Sequence, residues 1–174
     1  FGALYQQRPA PSTGNKFKRA WFKYFDVNGD HYELYTDAGV KRVPARQCWI
    51  FQTCDPAGST KTSADYFAFG TWVVTPDRDL LLIDVIRIRL EGPDQPKIFE
   101  QGFHRWNPKL QGVEVKGIGL TLFQTLKRKG LPVKELKADT DKETRALPIM
   151  ARMEAGTVYF KKNAPWLGDY ENEL

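Results

Sequence analysis

The chain has 174 residues, a formal net charge of +5 and a hydrophobic content of 41%, which is enough for one well-buried domain. No apolar run approaches the roughly 20 residues that a bilayer-spanning helix needs, and no signal peptide is visible, so we expect a soluble, intracellular protein and no membrane partner. The mildly basic charge suits a polyanionic partner, but it is also common among proteins that never meet nucleic acid.

The cysteines give little chemistry. Cys48 and Cys54 are the 2 cysteines of the sequence, and they fall on one predicted strand with their Cα atoms roughly 20 Å apart. That separation excludes a disulfide between them. Without a Cys or His cluster, structural zinc is also disfavoured, and a reducing compartment is expected.

The first 20 residues are rich in Pro, Gly and basic side chains and have no periodicity, which predicts a linker or arm before a domain over residues 21–174. The sequence starts at Phe1 without methionine and stops inside an apparent helix, so we expect a piece of a longer protein. Residues 21–47 alternate aromatic and polar positions around Asn28 and Gly29, which predicts one small hairpin.

After residue 47 the periodicity becomes regular. Three strands with short turns, an antiparallel meander, are followed by alternating helices and strands. The predicted strands are 48–55, 65–74, 80–90, 111–116, 133–137 and 158–160, and the predicted helices are 93–106, 119–129 and 140–154. Thr140 and Glu143 form a capping box at the start of the last helix, and Gly156 ends it.

The order βββαβαβα combines an antiparallel meander with crossover units. Crossover connections require parallel strands and place helices on both faces of the sheet. The sequence therefore predicts an α/β fold with a mixed, ribonuclease-H-like sheet.

Two carboxylates stand at strand positions where an acid is costly. Asp55 closes an apolar strand, and Glu114 lies between Val113 and Val115, so alternation sets it on the face opposite the valines. A buried Glu114 needs a partner, either a metal ion or a salt bridge to Lys116 or an arginine. Asp55 alone is equally well explained as an edge or cap residue, but the pair favours a divalent-metal site.

Two further acids are weaker candidates for metal ligands. Asp65 opens the second strand of the meander, where capping a turn is the commoner role. Asp84 lies in the third strand with apolar neighbours two residues away on each side, so it could face inward. Pairing with Arg87 or Arg89 is the plainer explanation for Asp84.

Several basic residues are candidates for contacts with a nucleic-acid backbone. The loop over residues 58–63 lacks the spacing of a P-loop, so it is more simply a hairpin loop that presents Lys61. Lys116 follows Glu114 directly. Lys127, Arg128 and Lys129 form a basic run, although such runs are usually solvated faces.

Several segments together closely resemble the C-terminal nuclease domain of the large terminase subunits of tailed bacteriophages. They are YQQRP at 5–9 with Gly14 and Phe17, DPA at 55–57 with SADY at 63–66, Glu114 with Gly117 and Gly119, and DKETRA at 141–146 with EAG at 154–156. The resemblance covers nearly the whole chain, and the order and spacing of the segments carry it.

The resemblance implies a ribonuclease-H-like endonuclease that cuts concatemeric viral double-stranded DNA at the start and end of packaging. It implies Asp55 and Glu114 as catalytic ligands of Mg²⁺ or Mn²⁺. The family's third acid lies in an Asp-Asp pair expected beyond Leu174, so the two-metal site is expected to be incomplete within this sequence. Lys142 and Arg145 match a family pattern; they could contact DNA or pair with Asp139, Asp141 and Glu143.

The resemblance also implies partners and a location. An ATPase domain before the linker, a portal protein and a small terminase subunit are expected partners, and the cytoplasm of an infected bacterium is the expected location. Two alternatives stay open: a resolvase-like or transposase-like nuclease of the same fold, and a non-catalytic module that grips DNA or docks on the portal.

Overall fold

The computed structural model describes residues 16–57, 66–137 and 141–174. Within these ranges nine strands form one mixed sheet, and four α-helices accompany it. The strands are β1 (Lys23–Asn28), β2 (His31–Thr36), β3 (Gly39–Pro44), β4 (Trp49–Asp55), β5 (Phe67–Val74), β6 (Leu80–Ile88), β7 (Leu110–Glu114), β8 (Val133–Leu136) and β9 (Val158–Lys161). The helices are α1 (Gln95–Trp106), α2 (Ile118–Arg128), α3 (Lys142–Glu154) and α4 (Leu167–Glu173).

The strand order of the sheet is β3-β2-β1-β9-β6-β5-β4-β7-β8. Strands β4, β5 and β6 form the predicted antiparallel meander. Strand β7 pairs in parallel with β4, and β8 pairs in parallel with β7. The predicted α/β fold with a mixed, ribonuclease-H-like sheet is confirmed.

The amino-terminal part of the sheet differs from the single hairpin predicted for residues 21–47. Strands β1 and β2 form that hairpin, with Gly29 in the turn at a φ of 58°, a value that glycine adopts at little cost. A third strand, β3, pairs antiparallel with β2. The sequence did not reveal β3 because only Val43 is buried along it, so it lacks two-residue alternation.

Strand β9 joins the two parts of the sheet. It lies between β1 and β6 and runs parallel to both, with Phe160 opposite Tyr24 on one side and Leu82 on the other. The strand itself was predicted from residues 158–160. Its position was not, because both of its pairing partners are distant in sequence.

Helices cover both faces of the sheet, as predicted. Helices α1 and α2 pack through Phe99 and Leu126 into a cluster with Val113, and we call this side the α1/α2 face. Helices α3 and α4 pack through Met153 and Tyr170 into a cluster with Leu82 on the other side, the α3/α4 face.

A buried polar network fixes the strand register on the α1/α2 face. The Gln52 amide donates to the Thr71 hydroxyl at 3.1 Å, and the Gln111 amide donates to Gln52 Oε1 at 2.8 Å and to the Phe99 carbonyl at 2.9 Å. Both glutamines are fully buried. Because a slipped register would leave these amides without partners, the network holds β4, β5, β7 and α1 in one alignment.

Helix α3 has a different N-cap from the one predicted. Thr140 lies outside the described residues, and Asp141 fills the role. Its carboxylate accepts the Thr144 backbone N–H at 2.9 Å and the Thr144 hydroxyl at 2.7 Å. The hydrogen bond from the Thr144 side chain, followed by that from its backbone, lowers the pKa of Asp141. This cap orients the first turn, which carries Arg145.

The remaining sequence predictions concern the termini, the cysteines and membrane segments. Residues 1–15 lie outside the described residues, so the linker and the domain boundary at residue 20 stay predictions. Both cysteines are free, with Cys54 buried. Among the helices of the described ranges, none combines the length and apolar character needed to cross a membrane.

Gly119 allows helix α2 to start close to the end of β7. A Cβ at this position would overlap the carbonyl oxygen of Glu114. We expect Gly119→Ala to lower the free energy of unfolding by about 3 kcal/mol, because backbone would have to move to relieve the overlap. Urea unfolding followed by tryptophan fluorescence measures the change.

Gly168→Ala is the matched control for this prediction. A Cβ at Gly168 meets nothing within 4 Å, and the residue lies in helix α4, so alanine should leave stability unchanged or raise it by up to about 1 kcal/mol. Equal losses in the two variants would contradict the role assigned to Gly119.

Candidate functional site

Asp55 and Glu114 end two neighbouring parallel strands. Thr53 pairs with Gly112 and Cys54 with Val113, so the next position in this register sets Asp55 beside Glu114. Their strands lie roughly 4.8 Å apart in such a pair, and the two side chains point to the same face. The structure therefore brings together the two acids that the sequence singled out.

Both acids line one open cleft of about 290 Å³ on the α3/α4 face. The walls of the cleft are mainly apolar, contributed by β5, β6, β8 and helix α4. They include Trp72, Leu82, Val85, Leu136 and Tyr170. An apolar wall beside two carboxylates weakens screening by water and strengthens their interaction with any cation that enters.

Glu114 is paired with Arg145 from helix α3. The guanidinium Nη1 lies 3.1 Å from Glu114 Oε2. The Arg145 side chain is 40% exposed and the Glu114 side chain is 26% exposed. The sequence left a metal ion, Lys116 or an arginine open as the partner of Glu114, and an arginine fills that role. Arg145 was expected to pair, if at all, with nearby acids of its own segment; it reaches back to Glu114 instead.

Asp55 lies where the strand must stop. Pro56 follows it and has no N–H to continue the ladder, and the chain then turns inward at buried Ala57, whose carbonyl accepts a hydrogen bond from Gln95 at 3.4 Å. Asp55 itself is exposed. Burial, followed by the charge of Asp55, raises the pKa of the Cys54 thiol, which stays protonated and inert as a nucleophile.

Hard carboxylate oxygens are the ligands that Mg²⁺ and Mn²⁺ take in proteins, so Asp55 and Glu114 suit such ions. Within the described residues, however, no group of three Asp, Glu, His or Cys side chains is placed to hold a metal. Asp65 lies outside these residues. The third acid predicted beyond Leu174 stays a prediction.

Asp84 is not brought to the cleft. It pairs with Thr71, which belongs to the buried network of the α1/α2 face, whereas Leu82 lines the cleft. A bulge between the pairs Thr71–Asp84 and Trp72–Leu82 adds one residue to β6 and reverses the alternation there. The two-residue alternation from Leu82 to Asp84 therefore does not hold across the bulge.

The basic run predicted to follow phosphates lies far from the acid pair. Helix α2 starts next to Glu114 and has 11 residues, so Lys127, Arg128 and Lys129 lie roughly 15 Å along its axis. This helix packs on the α1/α2 face, and Lys129 pairs with Glu100 at 2.5 Å. Lys116 is exposed beside the site, and Lys61 lies outside the described residues.

Sequence reasoning missed Arg87 as a neighbour of the acid pair. Asp55 pairs with Ala68, and Ala68 pairs with Arg87, so the three residues form one row on the α3/α4 face. Arg87 pairs with Glu173 at 2.7 Å, not with Asp84. The sequence could not reveal this row, because placing Arg87 opposite Ala68 requires knowing that β6 contains a bulge, and nothing in the sequence marks it.

Comparison with known proteins agrees with this architecture. A family model described as the terminase RNaseH-like domain matches residues 52–174. The chain is similar to crystal structures of the large terminase nuclease from thermophilic phage G20c. The forms with bound cobalt and with bound magnesium align at a TM-score of 0.56 and 14% identity, covering 82% of this chain and 69% of that chain.

The zinc-bound form of the same phage nuclease aligns at a TM-score of 0.53 and 14% identity, covering 87% of this chain and 81% of that chain. At this identity the likeness shows the fold. No curated protein sequence matches this chain.

Tyr170, in the wall of the cleft, should make the protein less stable at alkaline pH. Burial, followed by the charge of Glu173, raises its pKa from 10.0 to about 12. The unfolded chain therefore releases this proton first as the pH rises, so stability present below pH 10 is lost between pH 10 and about pH 12. Over this range we expect wild type to lose about 2 kcal/mol more than Tyr170→Phe.

Urea unfolding at several pH values measures this difference. Tyr66→Phe, which removes the hydroxyl of an exposed tyrosine, is the matched control. If Tyr170→Phe and Tyr66→Phe respond alike to alkaline pH, the burial of Tyr170 does not govern the loss.

Proposed function

Since the chain belongs to the terminase RNaseH-like domain family, we propose that it is a metal-dependent DNA endonuclease domain that cuts concatemeric viral double-stranded DNA at the initiation and termination of packaging. The observation that carries this proposal is the position of Asp55 and Glu114, which end adjacent parallel strands and line one cleft. Carboxylates converging from different strands are what metal-assisted hydrolysis of a phosphodiester requires.

Asp55 and Glu114 would hold Mg²⁺ or Mn²⁺ in this function. Such an ion, when bound, supplies an acidified water and neutralises charge on the scissile phosphate. The phage nuclease of similar fold has been crystallised with magnesium, cobalt and zinc, which supports a divalent metal. The two acids would bind the ion and orient it in the cleft.

Arg145 has a second role in this scheme. Its guanidinium pairs with Glu114, which lines the cleft, and so offsets part of the charge of that carboxylate. With Glu114 engaged by an ion, the guanidinium would be available to donate to a phosphate oxygen of the DNA. Helix α3 keeps the group in place through its Asp141 cap.

The partners, location and substrate that we propose are those expected for this family. Within the packaging machinery we place this domain after an ATPase domain of the same chain, with a portal protein and a small terminase subunit as partners and with the cytoplasm of an infected bacterium as its location. Double-stranded viral DNA is the substrate.

The first test is plasmid cleavage with Mn²⁺ in the full-length parent chain. We expect Asp55→Asn and Glu114→Gln each to reduce cleavage on the order of 100-fold or more, because each removes a charged metal ligand. Asp84→Asn is the isosteric control, since Asp84 lies on the other face of the sheet. Equal cleavage by the wild type, Asp55→Asn and Glu114→Gln would contradict the proposal.

That same negative result would favour the non-catalytic alternative. A gripping module would bind DNA in a salt-sensitive way without regard to metal or to the two substitutions. Measuring duplex binding in parallel therefore separates a domain that cuts from one that only holds DNA.

The second test measures Mn²⁺ binding to the full-length parent chain by titration calorimetry. Arg145 and a metal compete for the same Glu114 oxygen, so we expect Arg145→Ala to bind Mn²⁺ several-fold more tightly than wild type. Arg105→Ala, in helix α1 on the other face, changes the net charge equally and should leave the affinity near that of wild type. Equal gains in both variants would show a general charge effect and contradict the competition.

A further inference from the structure

A cationic and aromatic cluster lies beside the acid pair and is used by none of the roles above. Tyr66 comes directly before β5, Arg87 lies near the end of β6, and Arg89 follows that strand. The Arg87 guanidinium lies 3.9 Å from the centre of the Tyr66 ring, and the Arg89 guanidinium lies 5.1 Å from it. Both distances are those of cation–π contacts.

The cluster and the acids share one end of the sheet and one face. The row from Glu114 through Asp55 and Ala68 to Arg87 crosses four adjacent strands. Two strand spacings separate Asp55 from Arg87, roughly 10 Å. This span is short enough for one DNA backbone to contact Arg87 while it passes the acid pair.

The contacts leave the guanidinium groups able to bind a ligand. Arg87 Nη2 pairs with Glu173 at 2.7 Å, and the side chain is still 43% exposed. A guanidinium has five N–H donors, so one carboxylate leaves several for another acceptor. Stacking on a rigid ring also reduces the conformational freedom that arginine loses when it binds phosphate.

We propose that Arg87 and Arg89, stacked on Tyr66, form a phosphate-binding site that holds the backbone of duplex DNA next to the acid pair. Arg87 and Arg89 lie on the same face of the sheet as the acid pair, whereas the candidate residues Lys127, Arg128 and Lys129 lie on helix α2 at the other face. Glu173 lowers the affinity of the site for phosphate, because it competes with phosphate for Arg87. The proposal rests on the nuclease function proposed above.

The test is binding of a fluorescently labelled linear duplex to the full-length parent chain, followed by anisotropy without divalent metal over about 50 to 200 mM salt. For Arg87→Ala/Arg89→Ala we expect roughly tenfold weaker binding. The slope of log affinity against log salt should fall in magnitude by about 1.8, the value for two lost phosphate contacts. Lys127→Ala/Arg128→Ala removes the same charge and should change the slope much less.

Two further pairs of variants test the geometry. Tyr66→Phe keeps the ring and should bind like wild type, whereas Tyr66→Ala should weaken binding. Glu173→Gln frees Arg87 and should tighten binding a few-fold, whereas Glu100→Gln, which frees Lys129, should not. The Glu173 comparison keeps the proposal testable even if the double arginine variant fails to fold.

The outcomes separate this proposal from the function it rests on. If wild type shows no salt-dependent binding of the duplex, the proposed nuclease function fails. If wild type binds but the Arg87/Arg89 and Lys127/Arg128 variants show equal changes of slope, only the phosphate site is overturned. A Glu173→Gln variant that binds no more tightly than Glu100→Gln overturns it as well.

Discussion

The parallel pairing of β4 with β7 is the constraint on which the site depends. Side chains alternate between faces with a period of two, so a slip of one residue would move Glu114 away from Asp55 to the opposite side of the sheet. The buried hydrogen bond between Gln111 and Gln52 lies three residues before the two acids and opposes that slip. Gly119 then lets helix α2 leave the strand without displacing Glu114. The stability of the core and the position of the carboxylates thus rest on the same alignment.

Most of the central fold could be predicted from the sequence, because its strands are apolar runs separated by clear turn residues. The same pattern allowed Asp55 and Glu114 to be identified, since each is an acid in an otherwise apolar strand. The bulge in β6 could not be predicted in this way. Leu82, Asp84 and Ile86 look like one alternating series, and only the pairing with β5 shows that Leu82 faces the opposite side from the other two. Strand β3 was missed for a related reason, because its side chains show no alternation.

Ion pairs were harder to predict than strands. The acids around Arg145 suggested local pairing, yet its partner is 31 residues away. Arg87 likewise pairs with Glu173 in helix α4 rather than with a neighbour in its own strand. In both cases the deciding factor is which elements the sheet brings to one face, and charge patterns along a segment do not contain that information. The basic run at the end of α2 shows the converse, since a conspicuous local pattern lies on the face away from the acids.

The position of β9 has a consequence for how the protein folds. Residues 158–161 supply the strand that bridges β1 and β6, so the amino-terminal meander cannot join the rest of the sheet until nearly all of these 174 residues have been synthesised. Contacts between such distant parts of a chain form slowly. Until β9 inserts, β1 and β6 each present an open edge to other chains in the cell. The strand that completes the sheet therefore also ends the period in which the nascent protein is most exposed to aggregation.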